Sequence, residues 1–324
     1  MESAAPNTAP QVSVIMPAYM TAHLIAGALD SVLDQSFRNF EIVVVNDGSP
    51  DTAELENVLT PYRDKIVYLK QENKRAAGAR NNAIGHAKGG FLAFLDSDDA
   101  WFPGHLAAQM KLFEQDPALD LVYCDGVMET PESSHKFMDR CPSQGPATFE
   151  ALVVERCQIP VSTVVARKVA LARARFFDET LPRCDDYDMW LRAAFWGAKI
   201  GYSCNVQARF SVNRPGALSA SNLNMVEAYW RILEKAAETL PLNNEQKSIV
   251  QQRASKIRAH YLLEEGKTRL DEGRVSEAVT SFSEANTHLQ SAKLSLILFG
   301  LKTAPAATSK LVAFAKRIRG VAVH

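Results

Sequence analysis

The sequence has few cysteines, and no two of them form a C-x-x-C pair. The 324 residues contain five scattered cysteines, an odd number that argues against a disulfide framework. The absence of pairs argues against a structural zinc site. We therefore expect a chain that works in a reducing cytoplasm. The cysteines are Cys124, Cys141, Cys157, Cys184 and Cys204.

The chain also lacks long apolar runs and an excess of charge of one sign. No stretch of about 18 consecutive apolar residues occurs. Met1–Pro10 has neither the basic start nor the apolar segment of a signal peptide, and we expect residues 1–10 to be disordered. The formal net charge of −1 gives no general attraction to nucleic acid. We predict a chain that is neither membrane-spanning nor secreted by a classical signal, with no nucleic-acid partner.

Two glycine-rich nucleotide-binding motifs are missing. No G-x-G-x-x-G follows the first apolar run, and no G-x-x-x-x-G-K-[ST] occurs anywhere. These motifs place backbone N–H groups against phosphates. Dinucleotide-binding and P-loop interpretations therefore lose their main support.

Short apolar runs rich in β-branched residues alternate with helical patterns. Leu24, Ala28 and Val32 recur at helical spacing after the first run, as do Ala79 and Ala83 before the fourth. This alternation is typical of βαβ units with a parallel sheet, so we predict an α/β fold. The predicted strands are residues 12–16, 40–45, 65–69, 91–95, 121–124 and 161–165.

Three carboxylates follow the fourth apolar run, in the sequence Asp96-Ser97-Asp98-Asp99. Ligands of doubly wound sheets bind outside the carboxyl ends of the strands. An oxygen-rich corner there suits a hard divalent cation that holds a diphosphate. Asp and Ser are also common turn formers, so the motif alone leaves an ordinary turn open.

A second acidic cluster, Asp185-Asp186-Tyr187-Asp188, precedes apolar residues and marks a helix N-terminus. Adjacent carboxylates raise the pKa of one of them towards the range useful for a general base, although a plain capping cluster remains the alternative. The polar segment Glu129–Pro146 contains three prolines, which predicts a loop or flap where ligand specificity would reside.

From about Asn222 the chain has long helical patterns without strands. Gly273 followed by Ala278, Phe282 and Ala285 is similar to one tetratricopeptide-like hairpin, but a single copy cannot make a solenoid, which favours an ordinary packed helix pair. The tail is basic and apolar, which fits an amphipathic helix on an anionic membrane surface or a solvated helix face. Its basic residues include Lys302, Lys310, Lys316, Arg317 and Arg319.

Four segments resemble, in order and spacing, the family-2 glycosyltransferases with the GT-A fold. They are V-I-M-P-A-Y at 14–19, I-V-V-V-N-D-G-S at 42–49, G-A-R-N-N-A at 78–83 and F-L-D-S-D-D at 94–99. D-D-Y-D-M-W-L-R at 185–192 resembles the family's "ED" element, and R-P-G-A-L-S at 214–219 resembles its R-P-G-S-L-S loop. The resemblance covers about residues 12–221, and the combination is far more specific than any one piece.

The resemblance implies a cytoplasmic inverting glycosyltransferase with a mostly parallel GT-A sheet, flanked by helices. The donor would be a nucleotide-diphospho-sugar, most often a uridine one, and the cofactor Mn²⁺ or Mg²⁺. The acceptor would be a carbohydrate or a lipid-linked molecule in bacterial-type surface polysaccharide or glycoconjugate synthesis. We expect a GT-A domain at 11–221, divided into a nucleotide-binding half at 11–125 and an acceptor half at 126–221, and a helical region at 222–324.

The resemblance also implies roles for individual residues. Asp186 would be the catalytic base with Asp185 beside it, and Asp98 the direct metal ligand with Asp96 reaching the metal or the ribose. Asp99 would orient its neighbours. The expected donor-binding residues are Pro17, Ala18, Tyr19, Asp47, Gly48, Ser49, Arg80, Asp96 and Ser97. The expected acceptor or phosphate contacts are Trp190, Arg192, Arg214 and Ser219.

Simple chemistry supports several of these roles and leaves alternatives. Tyr19 offers an apolar face to a base, or is a surface tyrosine. Asp47 only accepts hydrogen bonds, which suits a uracil N–H, or it forms a turn with Gly48. We place Arg80 at a helix start, where the dipole disfavours a cation, so a diphosphate or carboxylate partner is expected. Trp190 fits a sugar-binding wall and a core position equally.

One departure from the family leaves the third metal ligand open. Many relatives carry a His in the later loop, where this chain has Asn213 and Arg214, and an Arg side chain cannot coordinate a cation. Two other functions remain: a catalytically silent scaffold that binds partners through its C-terminal helices, and a sugar-nucleotide pyrophosphorylase. The sequence leaves open a homo-oligomer and a peripheral contact of the basic tail with the inner face of the membrane.

Overall fold

The computed structural model describes residues 9–129, 133–211 and 222–308. The chain divides into two compact units, Met1–Ala220 and Ser221–His324. Each unit has its own core of buried apolar side chains. The first is built around a sheet and the second from helices. The expected disordered segment at 1–10 lies outside the described residues except for its last two positions.

Nine strands of the first unit form one mixed sheet. Along the sheet the strand order is β3-β2-β1-β4-β8-β6-β9-β5, and β7 pairs with β6. The strands are β1 Val12–Ala18, β2 Phe40–Asp47, β3 Val67–Gln71, β4 Phe91–Phe94, β5 Ala100–Trp101, β6 Leu121–Glu129, β7 Ser134–Lys136, β8 Val165–Arg167 and β9 Ile200–Ser211.

The first four predicted strands form the parallel half of this sheet. Val12 of β1 is in register with Phe40 of β2 and Phe91 of β4, and β3 continues the sheet beyond β2. β1, β2 and β4 are mostly apolar and buried, as expected where both faces of a parallel sheet are covered, whereas the edge strand β3 is partly exposed. Their carboxyl ends meet at one edge, which confirms the predicted parallel arrangement.

The second half of the sheet differs from the prediction at residues 161–165. Val161–Thr163 forms a single 3₁₀ turn, and only Val165–Arg167 is a strand, antiparallel to β4 and β6. Polar groups explain the turn, because the Thr163 hydroxyl donates to the carbonyl of Pro160 at 2.8 Å. The apolar run alone did not reveal this local competition for hydrogen bonds.

Helices cover the sheet and fill the loops between its strands. The helix α1 buries Ile25, Ala28, Leu29 and Val32, as its periodicity predicts. The helices of the first unit are α1 Ile25–Leu33, α2 Thr52–Val58, α3 Arg75–His86, α4 His105–Gln115, α5 Phe137–Arg140, α6 Phe149–Val153, α7 Lys168–Arg173 and α8 Asp185–Phe195.

The second unit contains α9 Asn222–Thr239, α10 Asn244–Asp271, α11 Val275–Leu289 and α12 Ala292–Thr303. A capping box at Asn243 begins α10, and Gly273 adopts φ +76° in the turn before α11. Ala278, Phe282 and Ala285 are buried, so α10 and α11 pack as a helix pair, which fits both of the alternatives that the sequence left open. In the part of the chain described, no helix combines the length and the apolar character that crossing a membrane requires.

Candidate functional site

The site lies where polar residues leave the carboxyl ends of β1, β2 and β4. Pro17 and Ala18 are still within β1, and Ala18 is buried in the core, so Tyr19 is the first of the three beyond the strand. Tyr19 is 46% exposed, which leaves its ring accessible to a ligand. The N–H of Met20 then donates to Ser49 Oγ at 2.6 Å, which ties the end of β1 to the end of β2.

Asp47, at the end of β2, holds the chain that leads into α3. Its Oδ1 accepts from Gln71 Nε2 and from the N–H of Lys74, both at 2.7 Å. Burial raises the pKa of Asp47, while the hydrogen bonds from Lys74 and Gln71 oppose the rise. Gly48 has φ +65°, and a Cβ there would lie 2.6 Å from the backbone nitrogen of Asn73. Only glycine therefore fits this close approach without strain.

The carboxylates of Asp96, Asp98 and Asp99 converge after β4. One oxygen from each lies within 4.8 Å of the others. Asp99 is held on both sides, because Ser162 Oγ donates to its Oδ2 at 2.6 Å and the Ser211 N–H donates to its Oδ1 at 2.9 Å. The Asp96 N–H also donates to Ser162 Oγ at 3.1 Å. Ser162 thus connects two members of the cluster.

This cluster fits a hard divalent cation. Burial raises the pKa of Asp99 well above its ordinary value, and the neighbouring Asp98 and Asp96 raise it further. Carboxylate oxygens are the ligands that Mg²⁺ and Mn²⁺ prefer, and a cation would offset their mutual repulsion. Ser97 lies outside this donor set, because its buried hydroxyl is 2.8 Å from the hydroxyl of Thr21.

Arg80 joins the cluster after β4 to the acidic start of α8. Its Nη2 donates to Asp96 Oδ1 and its Nη1 to Asp185 Oδ2, both at 2.7 Å. The guanidinium also lies over the ring of Phe177, 5.5 Å from the centroid. Although burial disfavours its charge, Asp96, Asp185 and Asp186 raise the pKa of Arg80. The side chain is a charged, buried bridge between two carboxylates.

The position of Arg80 corrects one step of the sequence argument. The helix α3 begins at Arg75, so Arg80 lies in its second turn and not at its start. The helix dipole therefore gives no reason for its placement, since that effect is confined to the terminal turns. We expected either a diphosphate or a carboxylate as the partner of Arg80, and the structure shows carboxylates.

Asp186 lies in the first turn of α8, beside Asp185. Its Oδ1 accepts from the N–H of Tyr187 at 2.8 Å. Burial and the charge of Asp185 raise its pKa from 3.8 to about 6, against the opposing effect of Arg80. A partly buried carboxylate with this pKa suits proton abstraction near neutral pH. The structure thus brings Asp186 to the same site as the cluster at 96–99.

The remaining expected contacts take different places. Trp190 is 1% exposed and packs edge-on against Phe94 and Phe177, so it belongs to the core beneath the site. Arg192 Nε donates to Asp188 Oδ2 at 2.8 Å, and its guanidinium also donates to the carbonyl of Ala174. These contacts give Trp190 and Arg192 structural roles. The expected contacts at Arg214 and Ser219 lie outside the described residues.

Sequence reasoning missed Ser162, Ser211 and Phe177. Ser162 follows Asp99 by 63 residues and Ser211 follows it by 112, so no local spacing signals either contact. The contact from Ser211 uses a backbone N–H, which any residue except proline supplies. Phe177 lies in an irregular segment after α7, without a periodic pattern to indicate burial.

Sequence comparisons identify relatives of the first unit. The model of the family described as "Glycosyl transferase family 2" matches residues 13–167. An uncharacterized glycosyltransferase, RP339, of Rickettsia prowazekii is 33% identical over 193 residues, which are 56% of this chain and 58% of that protein. The Escherichia coli protein WfgD, named a UDP-Glc:alpha-D-GlcNAc-diphosphoundecaprenol beta-1,3-glucosyltransferase, is 33% identical over 181 residues, covering 56% of this chain and 68% of WfgD. The chain thus spans under two thirds of RP339 and just over two thirds of WfgD.

Solved structures share the fold at low sequence identity. Staphylococcus aureus TarS 1–349 in complex with UDP has a TM-score of 0.60 and 18% identity, covering 95% of this chain and 91% of that one. The mannosyltransferase PcManGT of Pyrobaculum calidifontis, in complex with GDP-Man and Mn²⁺, has a TM-score of 0.63 and 20% identity, covering 97% and 81%. These likenesses confirm the predicted GT-A fold with flanking helices and a helical C-terminal region. The sheet itself is mixed, whereas a mostly parallel one was predicted, because β5, β7 and β8 pair antiparallel with their neighbours.

Proposed function

The chain belongs to glycosyl transferase family 2, and from this premise we propose that it is a metal-dependent, inverting glycosyltransferase. It would move a sugar from a nucleotide-diphospho-sugar to an acceptor hydroxyl. One observation carries the proposal: Arg80 joins the Asp96 cluster to the acidic start of α8 through two contacts of 2.7 Å. A cation-binding corner and a candidate base thereby belong to one site.

The donor we propose is a uridine nucleotide. TarS was crystallised with UDP and with UDP-GlcNAc, and the name of WfgD specifies UDP-Glc. Asp47 has acceptor groups only, which suits the N–H of a uracil ring, and the exposed ring of Tyr19 suits stacking on the base. Because both Nη groups of Arg80 are engaged by carboxylates, we propose that it positions Asp96 and Asp185 instead of binding the diphosphate directly.

Asp98 and Asp96 would hold the cation, Mn²⁺ or Mg²⁺, and Asp99 would position them through Ser162. When bound, such an ion neutralises the negative charge that develops on a departing nucleoside diphosphate. The convergence of the three carboxylates supports this assignment. PcManGT, a neighbour of known structure in complex with GDP-Man and Mn²⁺, is similar in fold.

Asp186 would accept the proton of the acceptor hydroxyl. As the proton moves to its carboxylate, the acceptor oxygen forms a bond to the anomeric carbon, and the bond from that carbon to the diphosphate oxygen breaks. This single displacement inverts the anomeric carbon, so an α-linked donor yields a β-glycoside. The raised pKa of Asp186 places the base in the useful range, and Asp185 is fixed by Arg80.

We propose a place in the synthesis of bacterial surface polysaccharide or a related glycoconjugate. AmsB of Erwinia amylovora, named an amylovoran biosynthesis glycosyltransferase, is 33% identical over 197 residues, covering 58% of this chain and 65% of AmsB. The acceptor would be a carbohydrate or a lipid-linked sugar, as the name of WfgD specifies for that protein. The enzyme would act in the cytoplasm, with peripheral contact at the membrane through its basic C-terminal tail.

Calorimetry with a donor panel tests the proposed site. UDP, GDP, UDP-glucose, UDP-galactose, UDP-N-acetylglucosamine and GDP-mannose would be titrated with and without Mn²⁺ into wild type and Asp98→Ala. We expect uridine nucleotides to bind only with metal, and Asp98→Ala to lose this binding. The exposed Asp64→Ala serves as the matched control and should bind like wild type. If wild type binds none of the six compounds, the glycosyltransferase proposal is wrong and a catalytically silent scaffold is favoured.

A further inference from the structure

The outer face of α12 carries two large apolar side chains that the second unit leaves exposed. Leu296 is 71% exposed and Phe299 is 67% exposed, whereas Leu294, Leu298 and Leu301 are buried against the rest of the unit. The helix is therefore apolar on both sides. Because α12 already buries its other face, this exposed apolar pair is not needed to pack the described residues of the unit.

Lysines flank this apolar pair along the helix. Lys293, Leu296, Phe299 and Lys302 follow one another at intervals of three residues, and all four side chains are exposed. Each step of three residues turns the direction in which the side chain leaves the helix by about 60°, so the two lysines lie on opposite sides of the apolar pair. We call these four residues the α12 row. Long lysine side chains in this position can lie along apolar material while their ammonium groups reach a polar layer.

Every charged Asp, Glu, Lys or Arg position in and after the α12 row is a Lys or an Arg. After Glu284 the chain contains no Asp or Glu up to residue 324, but it contains six Lys and Arg residues. This contrasts with the formal net charge of −1 for the whole chain. Positive charge beside an exposed apolar face favours an anionic lipid surface, which supplies both an acyl boundary and negatively charged headgroups.

We propose that the α12 row docks on an anionic phospholipid bilayer. Leu296 and Phe299 enter the boundary between headgroups and acyl chains, and Lys293 and Lys302 contact lipid phosphates. The inference deepens the proposed membrane contact by assigning it to described residues of α12, and it requires neither the donor nor the reaction. An apolar anchor adds to the attraction of a basic tail, because charge alone is screened by salt.

A second copy of the chain is a poorer occupant of this face. A two-fold contact brings the same residues of both copies together, so the lysines of the two rows would oppose each other. Two apolar side chains also form a small patch compared with the roughly 800 Å² per partner of a stable interface. Neither objection applies to a lipid bilayer.

Vesicle sedimentation of the full chain tests the docking. Wild type should bind vesicles of phosphatidylcholine mixed with phosphatidylglycerol, and bind phosphatidylcholine alone much less. The double variant Leu296→Ser/Phe299→Ser should lose about tenfold or more of the partition coefficient, since two apolar anchors are removed. Val169→Ser is the matched control, because Val169 is 67% exposed on α7 and should leave binding unchanged. Circular dichroism and the thermal midpoint should be the same for all three proteins.

Three results would overturn the docking: no binding of wild type to anionic vesicles, equal binding to both lipids, or equal binding of wild type and the double variant. Sedimentation velocity provides a fourth contradicting result. If wild type is a dimer, the double variant is a monomer and both bind vesicles equally, the face belongs to a second copy of the chain. Calorimetric donor binding is measured without lipid. A chain that binds UDP but no vesicles refutes the docking alone, and a chain that binds vesicles but no donor refutes the enzyme alone.

Discussion

Arg80 contributes to stability because it compensates two carboxylates that lie 16 and 105 residues away in sequence. Its planar fork donates to both at once, which a lysine ammonium cannot reproduce. Its side chain is 5% exposed and that of Asp185 is 10% exposed, so neither charge is well solvated. Because both charges are buried, removing Arg80 should cost more stability than removing an exposed ion pair.

We expect Arg80→Met to lower the free energy of unfolding by about 3 kcal/mol, because it leaves a buried carboxylate unpaired. Arg80→Lys should recover only part of the loss. Arg173→Met is the control: Arg173 pairs with Asp120 at 2.8 Å but is 53% exposed, so its loss should cost at most about 1 kcal/mol. Urea unfolding measures all three, and equal losses for Arg80 and Arg173 would contradict the buried bridge.

Ser162 connects two members of the carboxylate cluster through hydrogen bonds to the N–H of Asp96 and to the carboxylate of Asp99. Ser162→Ala should weaken Mn²⁺ binding by about 10- to 100-fold, because Asp99 loses one of its two orienting hydrogen bonds and Asp96 loses the acceptor of its N–H. Ser13→Ala removes a buried hydroxyl that likewise makes two hydrogen bonds, to Glu41 and Gly89, away from the cluster. Calorimetry should show unchanged metal affinity for Ser13→Ala. Equal metal affinity in the Ser162 variant and wild type would remove Ser162 from the site.

The raised pKa of Asp186 predicts a pH dependence of catalysis. The base must be ionised, so kcat/KM, which reports the free enzyme, should fall tenfold per pH unit below about 6. An enzyme whose kcat/KM is flat from pH 7 to about 5, with the fold intact, would exclude this carboxylate as the base.

The same shift predicts a stability effect of opposite sense to that of most carboxylates. Because the folded pKa is raised above 3.8, the folded state binds the proton more tightly, and stability is lost as pH rises from about 4 through 6. Asp186→Asn should remove this loss and raise the free energy of unfolding at pH 8 by about 1–3 kcal/mol, but not at pH 3.5. Urea unfolding at the two pH values checks the sign.

At the scale of helices, the contact between α10 and α11 depends on Gly266. A Cβ at this position would lie 2.6 Å from Cε1 of the buried Phe282 ring. Alanine improves helix propensity by about 1 kcal/mol, but overpacking a core costs about 1–3 kcal/mol, so the clash should dominate. Gly266→Ala should therefore be destabilising.

Gly85 of α3 provides the matched control, because nothing lies within 4 Å of its hypothetical Cβ. Gly85→Ala should raise the free energy of unfolding by about 0.5–1 kcal/mol through propensity alone. Chemical denaturation of both variants separates the two effects. A stabilising Gly266→Ala would show that the hairpin is packed more loosely than described.

Strands differ in how well their sequence predicts them. β1, β2 and β4 are continuous apolar runs because both faces are buried, and they were predicted within a few residues. β9 escaped prediction although it is the longest strand described, because most of its side chains are partly or fully exposed. β5 has only two residues, too few to show any period.

Across the whole molecule, motifs located several carboxylates that the structure brings close together, but they did not predict how these carboxylates connect. The positions of Asp47, Asp96 and Asp186 follow from strand ends and one helix start, which have local signatures. The Arg80 bridge and the Ser162 and Ser211 contacts depend on the path of the chain between distant segments. Trp190 was expected at the site but lies in the core, because the sequence beside a motif does not indicate whether an aromatic residue faces a ligand or the core.

We propose that Asp186 acts as the base in a site whose donor pocket is formed by other residues. The most direct measurement is the initial rate of sugar transfer by Asp186→Asn, with the donor and acceptor that serve wild type best, beside calorimetric binding of the same donor. We predict that Asp186→Asn lowers the rate by about 100-fold or more, with unchanged donor affinity and an intact fold. A full rate of transfer in a folded Asp186→Asn would contradict it.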